Sequence, residues 1–202
     1  GAQAGLIEPD DVTQDYLRAT GVSEDRLAEV HHWRSDPDAE VTLHTFDATT
    51  LAPQVAAPHS PANTQPVTAY ADVSLDVAYL GACTGAKLED LRAAATVLRG
   101  RRIAKGMRLL VAPASAREQA QAAREGVMQT LVDAGAEVLP NSCGICAGYG
   151  GHFEEGARVI SSTARNFKAR MGPASVQVYL ASPWTVAASA VRGRIADVRE
   201  ML

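Results

Sequence analysis

The chain has few cysteines, few aromatic residues and no long apolar run. Its three cysteines in 202 residues are an odd number, which excludes a framework built from disulfides alone. Aromatics supply only 5% of the residues while Ala, Val, Leu and Gly abound, a balance that suits alternating strands and helices better than a β-sandwich. No apolar stretch approaches the roughly 20 residues of a membrane span, and no charged-then-apolar signal opens the chain. The expected compartment is the cytoplasm, where thiols stay reduced. Charge of one sign is also lacking: 19 Lys and Arg against 23 Asp and Glu give a net charge of -4. The basic residues are scattered and leave no footprint for nucleic acid. A Ser-His-Asp order, a P-loop and a dinucleotide glycine fingerprint are all missing.

What is present is a strand-turn-helix grammar from residue 73 onward. A strand over 73–80 runs into Gly81-Ala82-Cys83-Thr84-Gly85, and Leu88, Leu91, Ala95 and Leu98 then share one face of a helix that stops at Gly100. A second strand over 108–112 precedes a long helix over 116–134, and a third over 136–139 leads into Asn141-Ser142-Cys143-Gly144-Ile145-Cys146-Ala147-Gly148. Strands over 159–162 and 176–180 and a helix opened by Pro183 complete the pattern. With 47% hydrophobic residues the chain can bury a substantial core, and its fold class reads as α/β. Parallel pairing would bring both cysteine turns to the carboxyl edge of one sheet, where α/β folds bind ligands. Upstream, Glu8-Pro9-Asp10-Asp11 and Ser23-Glu24-Asp25 open two short helices, and residues 41–46 alternate like a strand. Pro53, Pro58, Pro61 and Pro66 mark a connector. The expected division is 1–70, an entry segment with helices, edge strand and connector, and 71–202, an α/β domain. The opening Gly1 to Ile7 reads like part of a packed element within a longer protein.

Cys83, Cys143 and Cys146 lie among small residues, where thiolates can converge without crowding. Three thiolates suit an iron-sulfur cluster with one iron left open as a Lewis acid. A structural zinc site would need a fourth donor, His152 being the nearest in sequence, and a redox pair would need only Cys143 and Cys146. The residues by themselves leave all three open. Arg165 and Arg170 flank Asn166-Phe167-Lys168-Ala169 after a strand; a guanidinium binds a carboxylate through parallel hydrogen bonds, so such a pair beside a metal suits a di- or tricarboxylate. Solvated surface arginines are the plainer alternative. The five histidines do not cluster, and His152 is the one placed to back the cysteine turn. Glu89-Asp90 reads as first-turn helix charge.

Taken together, Gly1 to Asp11, residues 53–61, the segment around Cys83, Cys143 to Gly148, Arg165 to Gly172 and 179–190 resemble the aconitase-like hydro-lyases. The resemblance is to the carboxyl-terminal half of the large subunits of 3-isopropylmalate dehydratase and homoaconitase. It implies a three-layer α/β/α domain holding a 4Fe-4S cluster on Cys83, Cys143 and Cys146, with Arg165 and Arg170 for substrate carboxylates. The implied reaction isomerises a 2-hydroxy di- or tricarboxylic acid by dehydration and rehydration. No catalytic proton-transfer group is expected in this chain. The base of the family is a serine on a swivelling domain, often a small subunit, and the missing amino-terminal half supplies the acid groups, so a heteromer is expected and the isolated chain should not turn over. The chain departs from the family pattern at Ile145 for Pro, Ala164 for Asn and Ala169 for Gly. The alternative is a non-catalytic metal-binding module of the same fold.

Overall fold

A computed structural model describes residues 4–30, 32–149 and 153–202. The chain divides into two compact units, Gly1–Ala48 and Thr49–Leu202. In the first, helix α1 spans Asp11–Ala19 and is started by Asp10, whose carboxylate accepts from the Thr13 amide at 2.8 Å. Helix α2, Glu24–Val30, buries Leu27 and Val30. The expected strand over 41–46 is not formed: the segment carries no regular structure, and Val41, Leu43 and Phe46 are exposed. An alternating pattern makes a strand only where a neighbour supplies a ladder, and no ladder reaches these residues.

The second unit has the expected α/β class. Its strands are β1 (Gln54–Ala56), β2 (Thr64–Pro66), β3 (Val77–Gly81), β4 (Arg108–Ala112), β5 (Ala136–Val138), β6 (Arg158–Ser161) and β7 (Gln177–Ala181). They form one seven-stranded sheet in the order β2-β1-β7-β6-β3-β4-β5. From β7 to β5 every neighbour is parallel, while β1 is antiparallel to both β2 and β7. Helices α3 (Ala82–Gly85), α4 (Leu88–Leu98), α5 (Ala116–Arg124), α6 (Val127–Ala134) and α7 (Pro183–Arg192) flank it, consistent with the three-layer α/β/α arrangement.

Two differences from the sequence reading have plain causes. The proline connector is part of the sheet: Pro53 precedes β1, Pro58 and Pro61 lie in the turn, and Pro66 ends β2, an edge strand that can spare an amide. The long helix over 116–134 is two, because the chain turns at Gly126 with φ 74°.

Strand alternation sorts the core onto two faces. Ala78, Leu80, Leu109, Val111 and Ile160 point to the side packed by α4, α6 and α7. Val77, Tyr79, Leu110, Ala112, Val159 and Val178 point to the other, where Phe153, Met171, Ile145 and Cys146 cover them.

Candidate metal and substrate site

The chain proceeds from β3 to β4 and β5 on one side and then returns to β6 on the other side of β3. The carboxyl ends of β3 and β6 therefore flank a topological switch point, the place where open α/β sheets form a ligand crevice. Cys83 follows β3 in the one-turn helix α3 and is exposed. That turn is pinned by the residue after β6: the Ser162 amide donates to the Tyr79 carbonyl at 3.1 Å, the Gly81 amide donates to Ser162 Oγ at 3.1 Å, and the Ser162 hydroxyl donates to the Gly85 carbonyl at 2.7 Å. The approach is close enough that a Cβ on Gly85 would lie 2.1 Å from the Ser162 carbonyl oxygen.

Cys146 lies in a 3-10 turn over Gly144–Ala147, reached from β5, and Cys143 immediately precedes that turn. Cys143 is exposed and Cys146 half-buried, and none of the three cysteines is in a disulfide. Parallel pairing of β3, β4 and β5 thus sends both cysteine turns off the same edge of the sheet. Among the described residues, no group of three His, Cys, Asp or Glu side chains forms a ready-made metal shell. His152 lies outside the described residues, as does His31.

The two arginines part company. Arg170 reaches the cysteine turn, with Nη2 4.0 Å from Cys146 Sγ, while its Nε is buried without a partner among the described residues. Arg165 is exposed and makes no hydrogen bond or ion pair among the described residues. Between them Asn166 is fully buried, its amide nitrogen donating to the carbonyls of Ala57 at 2.8 Å and Val178 at 3.1 Å. It ties the arginine segment to β1 and β7. Ala169 holds φ 61°, a left-handed conformation that favours glycine. Between the segments lies a cavity of 290 Å³ lined by Gly148, Ala169, Gly172 and Pro173. A groove of 690 Å³ along β1 and β7, lined by Pro53, Leu180 and Trp184 among others, holds none of the cysteines or these arginines.

Tyr79, Ser162 and Asn166 were not singled out by sequence reasoning. Tyr79 is fully buried, and its hydroxyl has no hydrogen-bond partner among the described residues. Burial first, and then negative charge at Cys146, push that hydroxyl up to about 12; Cys143 and Cys83 add to the rise, and the Cys146 amide opposes it without forming an ordinary hydrogen bond. A buried donor left unsatisfied is costly. Two such donors, the Tyr79 hydroxyl and Arg170 Nε, on the side of the sheet that carries Cys146 suit a sulfur-bound group with further acceptor atoms of its own.

Residues 1–193 match the Aconitase family (aconitate hydratase). The chain belongs to the aconitase family. Among curated relatives in this family it is 44% identical over 202 residues to the 3-isopropylmalate dehydratase large subunit of Oleidesulfovibrio alaskensis, covering 98% of this chain and 47% of that protein. It is 40% identical over 206 residues to 3-isopropylmalate dehydratase large subunit 1 of Pyrococcus furiosus, covering 100% and 47%. Large subunit 1 of Methanopyrus kandleri is 40% identical over 204 residues, covering 100% and 48%. The aconitase-family chain thus spans about half the length of these relatives. Among the described residues, no helix is long and apolar enough to cross a membrane.

Proposed function

We propose that this chain is the cluster-bearing part of a cytoplasmic iron-sulfur hydro-lyase that isomerises a 2-hydroxy di- or tricarboxylic acid, such as 3-isopropylmalate or homocitrate, by dehydration and rehydration. Cys83, Cys143 and Cys146 would hold a 4Fe-4S cluster. Bound there, the cluster supplies an open iron as Lewis acid for the substrate hydroxyl and a carboxylate. The observation that carries the reading is Arg170: its guanidinium sits against Cys146 with a buried, unpartnered Nε, so a cation is held ready for a carboxylate beside the thiolates. Arg165, exposed and unpaired among the described residues, would take a second carboxylate. Asn166 holds both arginines in register through its bonds to Ala57 and Val178. Ser162 fixes the Cys83 turn against β6.

Proton transfer is assigned to partners: a swivelling-domain subunit carrying the base, and a chain or domain supplying the amino-terminal half. The test is anaerobic purification with iron and sulfide analysis, followed by assay of the assembled enzyme on unsaturated dicarboxylates. Bound iron and sulfide, hydration activity with the partners present, and a loss of at least about thirtyfold in kcat/KM on Arg170→Ala are expected, on the scale of a buried charged hydrogen bond of about 2–5 kcal/mol. Iron and sulfide without any hydration would favour the non-catalytic module, for which Ala164 in place of the family asparagine speaks. A folded, colourless protein without iron overturns the cluster.

A further inference from the structure

The strand that leads to Cys83 carries a residue that packing alone does not explain. Tyr79 and Gly81 lie on the same face of β3, two residues apart. A Cβ on Gly81 would stand 2.5 Å from the Tyr79 ring Cζ and 2.7 Å from its hydroxyl oxygen. The ring is therefore folded forward over Gly81, along the strand toward its carboxyl end. Gly81 is what lets it lie there.

That direction brings the phenol to the cysteine turns. Tyr79 belongs to the core face that includes Ile145 and Cys146. It is fully buried and finds no acceptor among the described residues. A phenylalanine would fill the same volume without burying an unsatisfied hydroxyl, so the oxygen is a cost that packing does not repay.

We propose that Tyr79 donates its phenolic hydrogen to the sulfur of Cys146 once that thiolate is drawn into a metal group, and thereby tunes the group's electronic properties. This rests on the three-cysteine site described above. A hydrogen bond to a coordinating sulfur withdraws electron density and raises the reduction potential of an iron-sulfur centre. Tyr79 acts through Cys146 and is a positioning and tuning residue; it touches no substrate.

The test compares the full chain with its Tyr79→Phe variant, which keeps the ring and removes only the hydroxyl. Both are reconstituted anaerobically with ferrous iron and sulfide, and metal content, urea midpoint and reduction potential are measured. Equal iron and sulfide with a potential displaced to more negative values in Tyr79→Phe is the expected result. A second measurement uses cadmium(II) alone as a probe of the thiolates, and expects the sulfur-to-metal charge-transfer band of Tyr79→Phe to move to lower energy. If neither protein takes up iron and sulfide but the cadmium band still differs, the cluster assignment falls and the Tyr79 bond stands. Identical potentials and identical cadmium bands overturn the bond, whatever happens to the cluster, and so does a chain whose thiolates take up neither probe.

Discussion

The two faces of the sheet in the second unit are built by the same strands and end in different states. On the helix side, Ala78, Leu80, Leu109, Val111 and Ile160 pack against Leu91, Ala94 and Leu98 of α4, Leu131 of α6 and Ala187 and Ala190 of α7. That face is apolar and closed. On the other side the cover is thinner, consisting of the coil around Phe153 and Met171 and the cysteine turn. Here the buried Tyr79 hydroxyl, Arg170 Nε and Asn166 Oδ1 lack partners among the described residues. One face is finished by folding, and the other holds polar atoms that a ligand would satisfy. Under the proposed function, stability and binding are divided between residues adjacent in sequence, since Leu80 and Tyr79 face opposite ways.

The sharpest way to break this comparison is to hollow out the closed face. Leu80→Ala removes a side chain of 0% exposure and is expected to cost about 2–5 kcal/mol in urea unfolding. A cost similar to that of an exposed leucine would mean that the helix face is not the main store of stability. A smaller effect is expected where the faces meet the Cys83 turn. Gly85→Ala must displace the Ser162 carbonyl, which lies 2.1 Å from the added carbon, and should lower stability by about 1–3 kcal/mol as overpacking. It should also reduce iron uptake per folded chain, and normal uptake would show that the Ser162 clamp does not place Cys83. The smallest change sharpens the contrast from the other direction. Ala169→Gly relieves a residue at φ 61° and is expected to raise stability by up to about 1 kcal/mol, read as a higher urea midpoint. No gain would mean that the arginine segment tolerates this conformation at no cost.

Much of the fold was legible because the parallel strands announce themselves. β4 begins and ends where the apolar run 108–112 does, and α4 follows the spacing of Leu88, Leu91, Ala95 and Leu98. Residues 41–46 show the limit of such reasoning, since alternation states a preference and a ladder requires a neighbour. The proline connector errs the other way, because its prolines fall at the ends and turn of β1 and β2, where their missing amides are not needed. In the site, the cysteine turns were readable as turns after strands. The different placements of Arg165 and Arg170 were not, because they depend on how Asn166 anchors the segment to β1 and β7.

By itself the sequence determined the α/β class, the family resemblance and the two cysteine turns, because these reside in local periodicity and in motifs of a few residues. Only the tertiary structure decided that Arg170, and not Arg165, meets Cys146, that Ser162 clamps the Cys83 turn, and that the Tyr79 hydroxyl is buried beside the cysteines. Each of those depends on strands far apart in sequence lying side by side. The order of strands around β3, which no local pattern encodes, sets which loops share an edge.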